Sequence, residues 1–192
     1  MRTEQLSSEH GRIGAVYLRR DVIAARVAEL GAEIARDYAG RDPLLVAPLK
    51  SSVVFLADLT RAVPIPHTLD VIELAPYSEG RDGAVRLLKD VDVPLAGRDV
   101  LLVEDVVDTG LTLRFLCRTL GLRDPASLAA VTLLDRPYRR LVEDIPLRYT
   151  GFTVPDELFA GYGLGLDERW RALPDLHVVA GTELPESASA AA

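Results

Sequence analysis

The sequence is poor in the residues that hold metal-bound or disulfide-bonded folds together. Among 192 residues there is a single cysteine, Cys117, which excludes an internal disulfide and a cysteine-rich zinc site. The three histidines, His10, His67 and His177, are not spaced as metal ligands. Runs of about 18 apolar residues are also missing, so the sequence predicts no membrane-spanning helix and no membrane partner.

Basic residues are too few for a surface that binds nucleic acid. Lys and Arg number 22 against 29 Asp and Glu, which gives a formal net charge of -7. Because non-specific nucleic-acid binders need positive charge to neutralise phosphates, we predict no nucleic-acid partner. Residues 1–5 are polar and do not form the apolar core of a signal peptide, so we expect a cytoplasmic protein.

The length and the missing linker indicate one domain. A chain of 192 residues can bury one core but hardly two, and no Pro/Gly/Ser-rich stretch or internal repeat divides it. We therefore expect a single domain over residues 1–180 and a flexible tail over residues 181–192. Residues 1–14 show no clear pattern, and we expect them to be loose.

Helix and strand patterns alternate along the chain. Ile23, Val27, Leu30 and Ile34 share one helical face and predict a helix over residues 20–38. Further helices are predicted over residues 51–62 and 111–120, and strands over residues 43–47, 68–74, 99–103, 126–134 and 148–152. Such alternation predicts an α/β fold with a mainly parallel sheet, in which ligands bind beyond the carboxyl ends of the strands.

The most informative segment follows the apolar strand predicted at residues 99–103. Residues 104–112 read EDVVDTGLT, so two adjacent carboxylates are followed by a third carboxylate, a glycine and two hydroxyls just before a helix. Backbone N–H groups of Thr109, Gly110 and the first helical residues could bind an anion at the helix N-terminus. The carboxylates would then face ribose hydroxyls or a magnesium ion.

Other interpretations of this segment fit less well. Asp108-Thr109-Gly110 also occurs in aspartic proteases, but those need two such motifs on β-rich halves, and here a helix pattern follows. A plain acidic surface turn is a further alternative. A P-loop is excluded because the sequence has no G-x-x-x-x-G-K-[ST].

The segment resembles the phosphoribosyl-pyrophosphate (PRPP) loop of type I phosphoribosyltransferases. Residues 45–59 (LVAPLKSSVVFLADL) are similar to that family's pyrophosphate loop and the helix after it. Further similar stretches are residues 85–90, 151–156, 161–164 and 167–169. The resemblance covers roughly residues 15–180 and is greatest to the hypoxanthine-guanine branch. It implies the type I phosphoribosyltransferase fold, with helices flanking the sheet and a small hood built from both chain ends.

The resemblance also implies an activity and roles for residues. Members transfer the phosphoribosyl group from PRPP to N9 of a purine such as hypoxanthine or guanine and release pyrophosphate, in purine salvage. By this resemblance Asp108 is the acid/base residue beside purine N7, and Glu104 and Asp105 hold the ribose hydroxyls and Mg²⁺. The 5′-phosphate would be held by Asp108, Thr109, Gly110, Leu111 and Thr112.

Four further groups are assigned in the same way. Lys50 and Ser51, next to which the family has a cis peptide, and Arg171 would contact pyrophosphate. Tyr77 lies in the stretch similar to the lid that closes over the site. The base would contact Arg136, Leu158 and Phe159. Other readings stay open: Lys50 as a solvated lysine, Arg171 as a surface arginine, and Tyr77 as a packing anchor.

The chain departs from the family pattern around the base. Ser51 replaces a glycine, Pro76 a serine, Arg136 a lysine, Leu158 the stacking aromatic and Gly165 an aspartate. Our hypothesis is that the protein binds PRPP but handles the base differently: it uses plain hypoxanthine or guanine poorly, prefers a modified heterocycle as a diverged transferase, or has lost catalysis. The alternatives are a PRPP-binding regulator and a relative used for assembly. By resemblance we also expect a homo-oligomer, a dimer or tetramer.

Overall fold

The computed structural model describes residues 7–8, 11–75, 86–166 and 168–180. Pro76, Tyr77 and the predicted tail over residues 181–192 therefore lie outside the described residues. The helices are α1 (Arg20–Asp37), α2 (Val53–Ala62) and α3 (Leu111–Gly121), with a short 3-10 turn at Pro137–Arg139. The strands are β1 (Ser7–Ser8), β2 (Gly11–Leu18), β3 (Leu44–Leu49), β4 (Thr68–Leu74), β5 (Leu87–Lys89), β6 (Asp99–Val107), β7 (Ser127–Asp135), β8 (Leu147–Thr153), β9 (Phe159–Ala160) and β10 (Leu176–Ala180).

The larger sheet has six strands in the order β5-β4-β3-β6-β7-β8. Strands β4, β3, β6, β7 and β8 are parallel, and β5 adds an antiparallel edge. Strand β6 lies between β3 and β7 and pairs with β7 along almost its whole length. The predicted α/β fold with a mainly parallel sheet is confirmed, and the carboxyl end of β6 lies at the middle of the sheet's edge.

Helices cover both faces of this sheet, which explains the continuous apolar strands. Successive side chains of a strand point to opposite faces. Leu101 and Val103 of β6 accordingly pack with α1 and α2, whereas Val100 and Leu102 pack with α3. The same alternation continues toward the end of the strand and sends its last polar side chains to opposite faces.

The second sheet is a small antiparallel hood made from both ends of the described chain. Its order is β1-β2-β10-β9: β1 pairs with β2, and residues 12–18 of β2 pair with residues 176–180 of β10. Phe159 and Leu176 pack into the main core below, while Ile13, Ala160 and Val179 form a separate cluster. The hood that the resemblance implied is therefore present.

Two sequence-based expectations were wrong in detail. Ser7–Ser8 and Gly11–Leu18 form strands, although we expected residues 1–14 to be loose. Strand β1 pairs with β2, and β2 is held by pairing with β10, about 160 residues further along, which no local pattern reveals. Strand β6 also continues through Glu104 and Asp105 to Val107 because β7 pairs with it that far.

The helices carry no membrane span. Within residues 7–8, 11–75, 86–166 and 168–180, no helix is long and apolar enough to cross a bilayer.

Candidate active site

A cavity of about 270 Å³ opens at the carboxyl ends of β3 and β6. Parallel α/β sheets bind ligands at this edge, where strands end and helices begin. Among the residues that line it are Ser51, Glu104, Asp105, Asp108, Thr109, Gly110 and Thr112. The structure thus brings together most of the residues predicted for PRPP, although they come from two separate segments.

The junction between β6 and α3 is shaped for an anion. Gly110 has φ +80°, a left-handed conformation that favours glycine, and a Cβ there would lie 2.7 Å from Val142 Cγ2. Helix α3 begins directly afterwards at Leu111 and has no acidic residue in its first turn. The positive end of the helix dipole and its free N–H groups therefore face the cavity, as phosphate binding requires.

Asp105 is buried on the α2 side of the sheet and is held by Ser52. The Ser52 hydroxyl donates to Asp105 Oδ1 at 3.1 Å, and the Asp105 backbone N–H donates to Ser52 Oγ at 3.2 Å. Burial raises the pKa of Asp105, and hydrogen bonds from Ser51 and Ser52 oppose that rise. Our sequence reasoning missed Ser52; the second hydroxyl after Lys50 at a strand end was the available signal.

Glu104 lies on the opposite, α3 side and is equally buried. Its Oε1 atom has no hydrogen-bond partner among the described residues. Burial raises the pKa of Glu104 well above its usual value, and the neighbouring Asp105 charge adds to the rise. Burial and the Glu104 charge together raise the pKa of the Cys117 thiol to about 12, so this cysteine stays protonated and unreactive.

The two cations predicted for pyrophosphate meet at one carboxylate. The peptide bond between Leu49 and Lys50 is cis, as the resemblance implied. Lys50 Nζ lies 2.8 Å from Glu168 Oε2, and Arg171 Nη2 lies 3.0 Å from Glu168 Oε1. Arg171 also donates through Nη1 to the Gly163 carbonyl at 2.9 Å. Sequence reasoning did not single out Glu168, whose carboxylate joins these two cations.

Gly165, which stands where the family has an aspartate, makes room for Arg171. A Cβ at position 165 would lie 2.9 Å from both Cγ and Cζ of Arg171. Any side chain here would therefore displace the arginine from its present position. The lack of a side chain at position 165 therefore allows Arg171 to pack where it does.

The predicted base side is a cluster of paired charges. Arg136 is buried, forms an ion pair with Asp156, and places Nη1 3.5 Å from Asp108 Oδ2. Arg139 lies 3.5 Å from Asp108 and 3.6 Å from Asp156. Asp108 therefore sits between two guanidinium groups. Sequence reasoning missed Arg139, although three arginines among five residues after β7 were a usable signal.

The two predicted apolar base contacts lie elsewhere. Phe159 is only 7% exposed, and its ring faces Tyr17 of the hood at a centroid distance of 4.8 Å. Leu158 is partly buried against the cluster of Ile13, Ala160 and Val179. Neither residue is among those that line the cavity, so their contact with a base stays a prediction.

Known proteins share both this sequence and this fold. A family model described as the phosphoribosyl transferase domain matches residues 17–167. A hypoxanthine-guanine phosphoribosyltransferase from Mycobacterium avium is 45% identical over 171 residues, covering 85% of this chain and 84% of that protein. A hypoxanthine phosphoribosyltransferase from Salmonella typhimurium is 46% identical over 156 residues, covering 79% and 87%.

A solved structure with a similar name has a similar fold. The crystal structure of a hypoxanthine-guanine phosphoribosyltransferase from Bacillus anthracis superposes with a TM-score of 0.82 at 40% identity, covering 88% of this chain and 98% of that one. The parallel sheet, the hood, the glycine turn before α3 and the match over residues 17–167 lead to one conclusion. The chain belongs to the phosphoribosyltransferase family and shares its type I fold.

Proposed function

We propose that the protein transfers the phosphoribosyl group of PRPP to N9 of a purine of the hypoxanthine-guanine type and releases pyrophosphate, as in purine salvage. One observation carries the proposal. The end of β6 and the start of α3 place three carboxylates and a helix N-terminus around one cavity. Relatives at about 45% identity are named for this activity.

The chain's own residues divide the reaction between them. The start of α3 holds the 5′-phosphate through backbone N–H groups and the hydroxyls of Thr109 and Thr112. Asp105, held by Ser52, orients the ribose hydroxyls. As the bond from C1′ to pyrophosphate breaks and the bond to N9 forms, the base must lose a proton. Asp108 accepts that proton or stabilises its transfer.

The site also fits Mg²⁺. Glu104 and Asp105 would supply oxygen ligands, and Glu104 Oε1 is a buried atom without a partner in the described part of the chain. No group of three or more His, Cys, Asp or Glu side chains there could hold a metal alone. Mg²⁺ commonly binds one or two carboxylates and takes its other ligands from substrate phosphates and water. When bound, the ion would neutralise the leaving pyrophosphate.

Arg136 supports an oxygen-bearing base. Its guanidinium is held by Asp156 and Asp108, while its buried Nε–H has no acceptor among the described residues. By the family resemblance the Arg136 guanidinium meets the base, where a carbonyl oxygen would accept a hydrogen bond from it and an amino group would not. The arginine in place of the family's lysine also leaves open a different oxo-heterocycle as the preferred base.

The test is pyrophosphate release from PRPP and Mg²⁺ with hypoxanthine, guanine and xanthine offered in turn, using Asp108→Asn as the inactive control. Release with hypoxanthine or guanine supports the proposal. Strong guanine turnover would refute the altered-pocket hypothesis. PRPP binding without release from any base would instead identify a PRPP-binding regulator.

Two further properties belong to this proposal. We infer that residues 1–180 act as one domain, because hood residues Phe159 and Leu176 pack in the same core as α1 and α2. We also infer a dimer or tetramer, by resemblance to the family. Light scattering after size-exclusion chromatography measures the oligomer, and a mass of 20.9 kDa would contradict it.

A further inference from the structure

Glu168 lies where pyrophosphate is expected to bind. Each of its two carboxylate oxygens forms an ion pair with one of the two cations assigned to that ligand: Oε2 pairs with Lys50 and Oε1 pairs with Arg171. The carboxylate therefore offers these cations the same kind of anionic oxygens that pyrophosphate offers. Both cations are already paired with Glu168, so an anion that binds them must compete with this carboxylate for their charge and donors.

The backbone around Glu168 has an unusual conformation. Glu168 has φ +60° and Trp170 has φ +64°, both in the left-handed region that non-glycine residues rarely adopt. Leu166 and Arg169 pair across the same turn. Strained conformations of this kind persist where the surrounding structure imposes them, and they cluster at functional sites. The turn thus sets the direction in which the Cα–Cβ bond of Glu168 leaves the backbone.

The ion pairs are weak enough to exchange. The side chains of Lys50 and Glu168 are 67% and 65% exposed, and exposed pairs contribute little to stability. Arg171 is held more firmly, since Gly165 packs against its stem and Gly163 accepts its Nη1. A multiply charged anion could therefore displace Glu168 while Arg171 keeps its place.

We propose that Glu168 is a positioning residue of the pyrophosphate subsite, whose carboxylate holds Lys50 and Arg171 together and competes with pyrophosphate for them. The inference rests on the proposed function. It implies that Glu168 weakens pyrophosphate binding and thereby speeds its release after transfer. Removing the charge leaves both cations free for the ligand, so the affinity for pyrophosphate rises.

The experiment is a calorimetric titration of the full chain with inorganic pyrophosphate and Mg²⁺, for wild type and Glu168→Gln. We expect pyrophosphate to bind about fivefold more tightly to the variant, since two exposed ion pairs no longer compete. The affinity for ribose 5-phosphate measures phosphate binding at the start of α3, and it should be the same in the variant as in wild type. Glu143→Gln, at an exposed position outside the site, is the matched control and should bind as wild type does.

Each result of this titration either supports or overturns the inference. Tighter pyrophosphate binding in Glu168→Gln alone supports the inference, because damage to the fold would weaken binding. Equal or weaker binding in a variant that melts like wild type overturns it and leaves the proposed function intact. Wild type that binds neither PRPP nor pyrophosphate would overturn the proposed function itself.

Discussion

The phosphate side of the proposed site consists mainly of backbone groups, whereas its base side consists of side chains. At the proposed phosphate side the backbone forms the site: a left-handed glycine, Gly110, leads into the N–H groups of α3. At the proposed base side, paired side chains form it, since Arg136 and Arg139 surround Asp108. A backbone site is sensitive to an added Cβ, whereas a side-chain site can be changed one residue at a time. The departures from the family pattern include Arg136 and, in the pyrophosphate loop, Ser51, but spare residues 108–112.

The largest expected effect is at Asp108, where the two sides meet. Asp108→Asn keeps the shape but removes the oxygen that accepts a proton, so we expect kcat to fall by about 10²- to 10⁴-fold. PRPP affinity should change little, because in our proposal the backbone N–H groups at the start of α3 and the hydroxyls of Thr109 and Thr112 hold the 5′-phosphate. Pyrophosphate release measures the rate and calorimetry measures the affinity. An equally large loss of PRPP affinity would show that Asp108 mainly binds substrate.

The next effect tests the backbone side. Gly110→Ala forces a Cβ into a left-handed residue, at about 1–2 kcal/mol, and brings it to 2.7 Å from Val142 Cγ2. We expect a lower Tm and weaker ribose 5-phosphate binding. Gly121→Ala is the matched control at the end of the same helix, since its Cβ would lie 3.8 Å from Leu128 Cδ2, an ordinary contact. Equal behaviour of the two variants would contradict the role of the glycine turn.

A smaller effect is expected on the base side. Arg139→Gln removes one of the two guanidinium groups beside Asp108 and the long contact to Asp156. We expect KM for the base to rise about fivefold, the size of a weak ion pair, with KM for PRPP unchanged. Arg118→Gln, on an exposed position of α3, serves as the control. A change in KM for PRPP instead would place Arg139 on the phosphate side.

The last effect concerns how the stability of the folded protein changes with pH. Burial raises the pKa of Glu104 in the folded state, so the folded protein loses stability relative to the unfolded chain as pH rises through that raised pKa. Below the usual value of 4.5 the carboxyl is protonated in both states and contributes no difference. Glu104→Gln does not titrate, so its Tm advantage over wild type should grow with pH in metal-free buffer.

Thermal melting of both proteins between acid and neutral pH measures this difference. A Tm advantage that shrinks as pH rises would contradict the burial argument. Cys117→Ser, which packs beside the same carboxylate, is the companion variant: it removes a thiol that stays protonated throughout and should leave the pH dependence in place.

Much of the site could be predicted because its signals are local. The glycine between hydroxyls and the helix pattern after it are adjacent in sequence, so the β6–α3 junction was predicted close to where it lies. The apolar spacing of Ile23, Val27 and Leu30 likewise predicted α1 within a residue. Ser52, Arg139 and Glu168 were missed because each acts through a partner distant in sequence or across a turn.

By itself, the sequence determined the alternation of helices and strands, the acidic segment after the central strand and the family resemblance, since each depends on neighbouring residues. The tertiary structure alone decided how far β6 extends, because its last residues stay extended by pairing with β7. It also decided that the hood forms, because β2 and β10 pair across about 160 residues. Likewise, it alone decided that Lys50 and Arg171 both pair with Glu168. Contacts of that kind are selected by packing and charge in three dimensions, for which one sequence has no periodic signal.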